Sequence, residues 1–250
     1  MEQYLISSAN DTPRVFRVLT IGAFIKVATW LYGNEDVVFR GQRRCRELLP
    51  SVARDQEYVN VEIDIFDEFK REAIPYLTEM PQTPWQWLAV AQHNGLPTRL
   101  LDWTKNPLVA LWFAVSKPAH EQEPGIVWAH GYTPSNAISN SEQEDSPFSI
   151  ETTRIYLPEH VFPFIQAQSG LFTVHNRKDV GFVPFEQMSD ADLLLTKIEI
   201  PGSCFPTLRY HLFRSGIHPS SLYPGLSGLI NRIKYQHEFL SDEQGHNHDN

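Results

Sequence analysis

The run AQHNGLPTRLLDWTKNPLVALWFA, Ala91 to Ala114, constrains this chain more than any other stretch. It joins two segments of helical character through a polar bridge. Upstream, TPWQWLAVAQHNG opens on Thr83-Pro84, a helix start, and closes on Asn94-Gly95, a helix stop. Downstream, LVALWFAVSK reads as a helix by length and alanine content, with Pro107 near its first turn, where proline is tolerated. The bridge LPTRLLDWTKNP reads as a loop, so His93, Arg99, Asp102, Trp103, Thr104 and Asn106 gather between two helices.

Any polar residues would solvate a surface loop, so this density needs a reason. One reason is chemical: Asp102-Trp103-Thr104 sets an acceptor, a flat stacking face and a hydroxyl side by side, able to receive a nucleotide. The other is architectural: Asp102 or Thr104 caps the helix near Pro107, and Trp103 joins the core. These residues by themselves leave both open.

Elsewhere the pattern predicts a helix over Thr12 to Leu31, led in by Asp11-Thr12-Pro13 and ended by Gly33-Asn34. Asp36 to Phe39 reads as a strand, Glu57 to Leu77 as a helix, and GIVWAHGY, TRIYLP, SGLFTVHN and LLLTKIEIP as strands. SNAISNSEQEDSPFS reads as a polar loop, Leu226 to His237 as a last helix, and SDEQGHNHDN as a frayed tail. Helices come mostly first and strands later, which gives an α+β class. The expected organisation is one domain over residues 1–240, with an N-terminal helix 12–33, a core 36–237 and a disordered tail 241–250.

Composition narrows the function. With 250 residues the chain buries a core without staples, and its net charge of −9 argues against a broad duplex-binding surface. Cys45 and Cys204 are far apart, without metal spacing, which suits a reducing compartment. The start lacks a secretory pattern, and VLTIGAFIKVATWLYG is too short to span a membrane and is broken by Lys26. A cytoplasmic protein is expected. There is no Walker loop, no Gly-rich dinucleotide fingerprint and no HExxH, so kinase, Rossmann and zincin readings lack support. The terminal HNHDN is read as a tail and not as a metal site, and no metal is expected.

The strand at Val37 ends in Phe39-Arg40-Gly41-Gln42, an unusual close for a buried strand. Arginine offers fixed donors that suit phosphate, and glycine permits close backbone approach. Phe39-Arg40-Gly41, the run from His93 to Ala114, QAQSGLFTVH and the late GIHPSSLYPGLSGL together resemble the FRG domain family. The layout is also similar to ADP-ribosyltransferases of the Arg-Ser-Glu type. That second resemblance implies helices packed on a split mixed β-sheet and NAD as substrate. It implies that Phe39, Arg40, Gly41, Gln42, Arg99, Trp103 and Thr104 bind the dinucleotide.

In the place of the usual Glu-x-Glu stand Gln166 and Gln168, so the resemblance leaves the catalytic charge to Asp102, with Glu199 a second candidate. Gln168 or Asp102 would polarise the ribose, and His93, at a helix end, would act as a base or as a packing residue. The implied acceptor is a macromolecule, nucleic acid being favoured over protein because Arg40, Arg43, Arg44 and Arg46 lie together. A role as a toxin or phage-defence effector, and an antitoxin partner, belong to the same resemblance. Two rival readings are a noncatalytic nucleotide-binding module and an NAD glycohydrolase.

Overall fold

The computed structural model describes residues 13–31, 36–120, 122–159, 163–177, 181–188 and 194–239. Seven strands form one mixed sheet: β1 (Arg14–Arg17), β2 (Asp36–Gln42), β3 (Leu100–Thr104), β4 (Gly125–Tyr132), β5 (Arg154–Tyr156), β6 (Gly170–Val174) and β7 (Leu194–Ile200). Their spatial order is β1-β7-β4-β2-β3-β6-β5. Only β1 and β7 run parallel; every other neighbouring pair is antiparallel. The domain is α+β, as its patterning predicts.

The sheet has a seam. β2 pairs with β4 along its whole length, from Asp36 with Tyr132 to Gln42 with Ile126, and β3 pairs with β6 from Leu100 to Thr104. Between β2 and β3 the register holds at Phe39 and Thr104 alone. Beyond that point the two halves diverge, which leaves backbone groups of both strands facing a gap.

Helices α1 (Ile21–Trp30), α4 (Pro107–Val115) and α6 (Phe205–Arg214) cover the β2-β4-β7 half. Phe24, Leu111, Val115, Phe205 and Leu212 pack there on Phe39, Val127 and Ile198. The other half is covered by α2 (Gln56–Glu72) and α3 (Pro84–His93), where Phe66, Trp85 and Leu88 meet Leu100, Phe172 and Val174. The opposite face of the sheet buries Val38, Leu101, Trp103, Trp128 and Leu171 under Leu48 and Phe185. The chain closes with α5 (Pro163–Ala167), α7 (Pro219–Leu222) and α8 (Leu226–Phe239). Among the described residues no helix is long and apolar enough to cross a membrane.

Several local readings are corrected. Thr12 to Leu31 is not one helix: Arg14–Arg17 forms an edge strand, and Thr20 caps the helix, its hydroxyl accepting from Ala23 N at 3.1 Å. Val15, Val18 and Leu19 fit either period over so few residues, and pairing with β7 decides. The Asp11-Thr12 start signal, the Gly33-Asn34 stop and the tail 241–250 lie outside the described residues. LPTRLLDWTKNP is not a plain loop: Leu100 to Thr104 is a strand in which Leu101 and Trp103 turn to the core and Asp102 to solvent. The helix expected to Leu77 ends at Glu72, and a short 3-10 turn, Ile74–Tyr76, follows at Pro75.

Gly41 has a structural reason of its own. A Cβ there would stand 1.9 Å from the carbonyl oxygen of Ala110 and 2.9 Å from Ala114 N. The absent side chain lets α4 lie directly on β2, so the closely approaching backbone is the protein's own. Gly41→Ala is expected to cost at least about 2 kcal/mol by forcing α4 off the strand. Gly22→Ala, in an exposed turn of α1 with open space around it, should gain about 0.5–1 kcal/mol. Urea denaturation of both variants checks the pair, and an unperturbed Gly41→Ala would refute the packing account.

Candidate functional site

The seam opens into a cavity of about 320 Å³. Alternation along β2 puts Phe39 and Gly41 on the face toward α4 and Arg40 on the opposite face. The Arg40 guanidinium turns into the gap, and Nη1 donates to the backbone oxygen of Asp102 at 2.7 Å. A side chain thus supplies the donor that the missing ladder would have provided. The same nitrogen lies 3.6 Å from the Asp102 carboxylate, with Arg40 17% and Asp102 58% exposed. Arg40 Nε is buried without a partner. Burial pulls the Arg40 pKa below the ordinary arginine value, and Asp102 opposes that shift. An arginine remains charged throughout.

Asp102 is positioned from its other side. Gln92 Nε2 donates to Asp102 Oδ2 at 2.9 Å, while Gln92 Oε1 accepts from the Thr98 hydroxyl at 2.6 Å. His93, the next residue on α3, stacks face to face on Phe164 and also lines the cavity. Burial lowers its pKa, with Asp102 opposing, so the imidazole is neutral at neutral pH and able to take a proton. Among the described residues lining this cavity, Asp102 is the sole acidic one.

The far wall comes from the second half of the chain. Gln168 lines the cavity, and its Nε2 donates to Leu222 O at 3.1 Å. Ser169, at φ +48°, is one of two non-glycine residues described with positive φ, a conformation that costs energy and persists when its surroundings enforce it. Lys105 N donates to Ser169 O at 3.0 Å and Ser169 N to Gln166 O at 3.0 Å, which fixes this turn beside Gln168. Gln166 borders a different cavity, with Lys105 and Leu157.

Sequence reasoning placed several residues here, and the structure sorts them. Phe39, Arg40, Gly41, His93, Asp102, Trp103, Thr104 and Gln168 all border the one cavity. Arg99 and Gln42 do not. Arg99 forms a buried bidentate pair with Glu62, at 2.9 and 2.6 Å, so no donor fork is free for a ligand. Gln42 Oε1 instead accepts from Trp128 Nε1 at 3.1 Å, next to it on β4. Glu199 pairs with Lys197 at 2.9 Å on β7, away from the cavity lining.

Trp103 borders the cavity but is 3% exposed, and its indole N–H donates to Thr173 Oγ1 at 3.0 Å. Its ring packs near Phe185 and His130, which removes it as a stacking platform. The Thr104 hydroxyl donates to Gln168 O at 2.6 Å and accepts from Asn106 N at 3.0 Å. Asn106, and neither Asp102 nor Thr104, caps α4, its Oδ1 accepting from Leu108 N at 3.0 Å. Aromatic surface at the cavity comes instead from Phe113 and Tyr223, which the sequence did not single out. Burial, then Asp102, raises the Tyr223 pKa, so its phenol keeps its proton. Gln92 was also missed; only its neighbour His93 drew notice.

Behind the seam, Trp103, Thr173 and His175 form a buried chain. Thr173 Oγ1 accepts from the indole and shares a further hydrogen bond with His175 Nε2 at 3.0 Å. Burial, then the charges of Arg40 and Arg99, push His175 down to about 3; burial likewise takes His130 to about 4. Both are neutral when folded and, when unfolded, take up a proton near pH 6.5. Depressed folded values mean that their stabilising share is full above pH 6.5 and lost as pH falls toward 4 for His130 and 3 for His175. Stability is expected to drop by about 2–3 kcal/mol per pH unit near pH 5. His175→Gln should remove about half of that slope in urea denaturation between pH 6 and 5; an unchanged slope would count against the buried neutral state.

Residues 35–123 match the family model described as the FRG domain. Compared with the curated proteins and with the solved structures, the chain finds no match. The matched span carries Phe39-Arg40-Gly41, Gln92, His93, Asp102 and Phe113, while Gln168 and Tyr223 reach the same cavity from beyond it. Over that span the chain is similar to the FRG domain family, and the cleft draws its far wall from residues beyond it.

Proposed function

We propose that this cleft transfers ADP-ribose from NAD to a macromolecule. The observation that carries the reading is the pairing in the open seam of a fixed guanidinium, Arg40, with a carboxylate, Asp102. Breaking the bond from ribose C1′ to nicotinamide sends the electron pair out with a neutral nicotinamide and leaves an oxocarbenium-like sugar. A carboxylate facing that sugar offsets its developing charge. Arg40, whose side chain is partly open to the cavity, is the donor for a phosphate oxygen. Gln168 can hold a ribose hydroxyl with the amide oxygen that its bond to Leu222 leaves over. Phe113 and Tyr223 offer the flat surfaces for a ring. The acceptor's nucleophile then bonds to C1′, and its proton passes to neutral His93.

The volume of about 320 Å³ lies near the low end for ligand pockets and suits one half of a dinucleotide. A second reading, NAD hydrolysis, draws on the same neutral His93, which serves water as well as it serves a macromolecular nucleophile. A third reading, a noncatalytic nucleotide-binding module, draws on the amide of Gln168 in the place where the resemblance implies a carboxylate.

Incubation with adenylate-labelled NAD and cell extract separates these readings. Transfer predicts label in a macromolecule, lowered by about 10²–10³ in Asp102→Asn and accompanied by NAD affinity about tenfold weaker in Arg40→Ala. Nicotinamide released without labelled macromolecule would identify the hydrolase. Binding without turnover would leave the module, and absence of transfer, release and NAD binding would refute all three.

A further inference from the structure

Arg40 is one of five arginines between positions 40 and 54, in a chain whose net charge is −9. The others are Arg43, Arg44, Arg46 and Arg54, with Glu47 the only acid in that interval. Among the described residues none of these four has a carboxylate within ion-pairing distance. The nearby acids are otherwise engaged. Glu47 accepts from the Gln187 amide at 3.4 Å, Glu186 accepts from Leu48 N at 3.0 Å, and Asp55 caps α2 through Glu57 N at 2.9 Å.

The segment is held firmly against the cleft. Leu48 is fully buried, and Phe185 N donates to Leu48 O at 3.1 Å. The 3-10 turn Ser51–Arg54 docks through Val52 N to Thr98 O at 3.2 Å and Thr98 N to Ser51 Oγ at 3.1 Å. Thr98 in turn holds Gln92, and Gln92 holds Asp102. Arg54 Nη2 donates to Leu49 O at 3.1 Å, which fixes its stem at the edge of the site. Burial and then the charge of Arg46 depress the Arg54 pKa, and Arg54 in turn depresses that of Arg40, so the guanidinium groups stand close enough to repel. Asp102 is the one carboxylate that offsets this, acting on Arg40 and Arg54 together, and like charges in such excess are relieved by a polyanion.

We propose that Arg46 and Arg54, with Arg40 at the seam, form a strip that tracks the phosphodiester backbone of a single-stranded nucleic acid, the acceptor for the transfer proposed above. The assignment as acceptor rests on that reading; the strip itself does not. Protein-docking faces rely on buried aromatic and aliphatic anchors, and from Arg40 to Arg54 no large apolar side chain is exposed. A backbone-tracking surface needs cations and a stacking face. Tyr58, 41% exposed in the first turn of α2, supplies such a face four residues beyond Arg54.

Fluorescence anisotropy with a labelled oligouridylate of about 12 nucleotides, titrated across about 50–200 mM salt, tests the strip. Binding should weaken steeply with salt. The double variant Arg46→Ala/Arg54→Ala should bind at least about tenfold more weakly, with the log–log salt slope flatter by about 1.4, two contacts at about 0.7 each. Its melting temperature and NAD affinity, measured separately, should stay near the native values. No native binding, or an unchanged slope in the double variant, overturns the strip, and label found only in protein overturns the choice of acceptor. Oligonucleotide binding without NAD binding would uphold the strip and sink the transfer reading.

Discussion

The structure turns on one hydrogen bond, from Arg40 Nη1 to the backbone oxygen of Asp102. Backbone pairing between β2 and β3 stops after Phe39 and Thr104, yet the two halves of the sheet remain one fold. Past that pair no β2 N–H reaches the Asp102 carbonyl, which faces the gap. A guanidinium supplies the missing donor and keeps others in reserve, which a backbone N–H cannot do. Closing the sheet in this way also creates its cleft: the gap that Arg40 spans is the gap a ligand would enter.

The remaining elements hold that gap at a fixed width. On the β2 side, Gly41 brings α4 onto the strand so closely that a methyl group would overlap the Ala110 carbonyl. On the β3 side, the Thr104 hydroxyl ties the strand end to Gln168, and Gln168 ties the turn after α5 to Leu222. Gln92 fixes Asp102 from α3. At the bottom, the Arg99–Glu62 pair is buried and bidentate, a geometry that satisfies both charges while neither is offered to solvent. The polar groups of the Ala91–Asn106 segment therefore divide between two tasks. Arg99, Thr98, Thr104 and Asn106 build the cleft, while His93 and Asp102 face into it.

Much of this division was legible in outline. Helices α3 and α4 were readable from Thr83-Pro84, Asn94-Gly95 and Pro107, because those signals are local and backbone conformation answers to them directly. The strand between them was not, since five residues of Leu-Leu-Asp-Trp-Thr carry too short an alternation to outweigh the polar residues that follow. The edge strand at Arg14 was hidden for the same reason, its partner lying far along the chain in β7. Side-chain roles were harder still. Trp103 and Gly41 looked like ligand-facing residues, but a ring and a missing side chain serve a core as readily as a site, and only the direction in which each points tells them apart.

The sequence by itself determined the class, the likeness of residues 35–123 to the FRG domain and the residues that could carry chemistry. Alternation, caps and the Phe39-Arg40-Gly41 step are written in neighbouring residues and need no distant partner. Tertiary structure decided which of those residues share a space. It brought Gln168 and Tyr223 to Arg40 across more than a hundred residues, sent Arg99 to Glu62, and gave Gln42 to Trp128. The physical reason is that a buried polar group bonds to whatever partner the packed elements bring within about 3 Å, and spacing along the chain does not encode that partner.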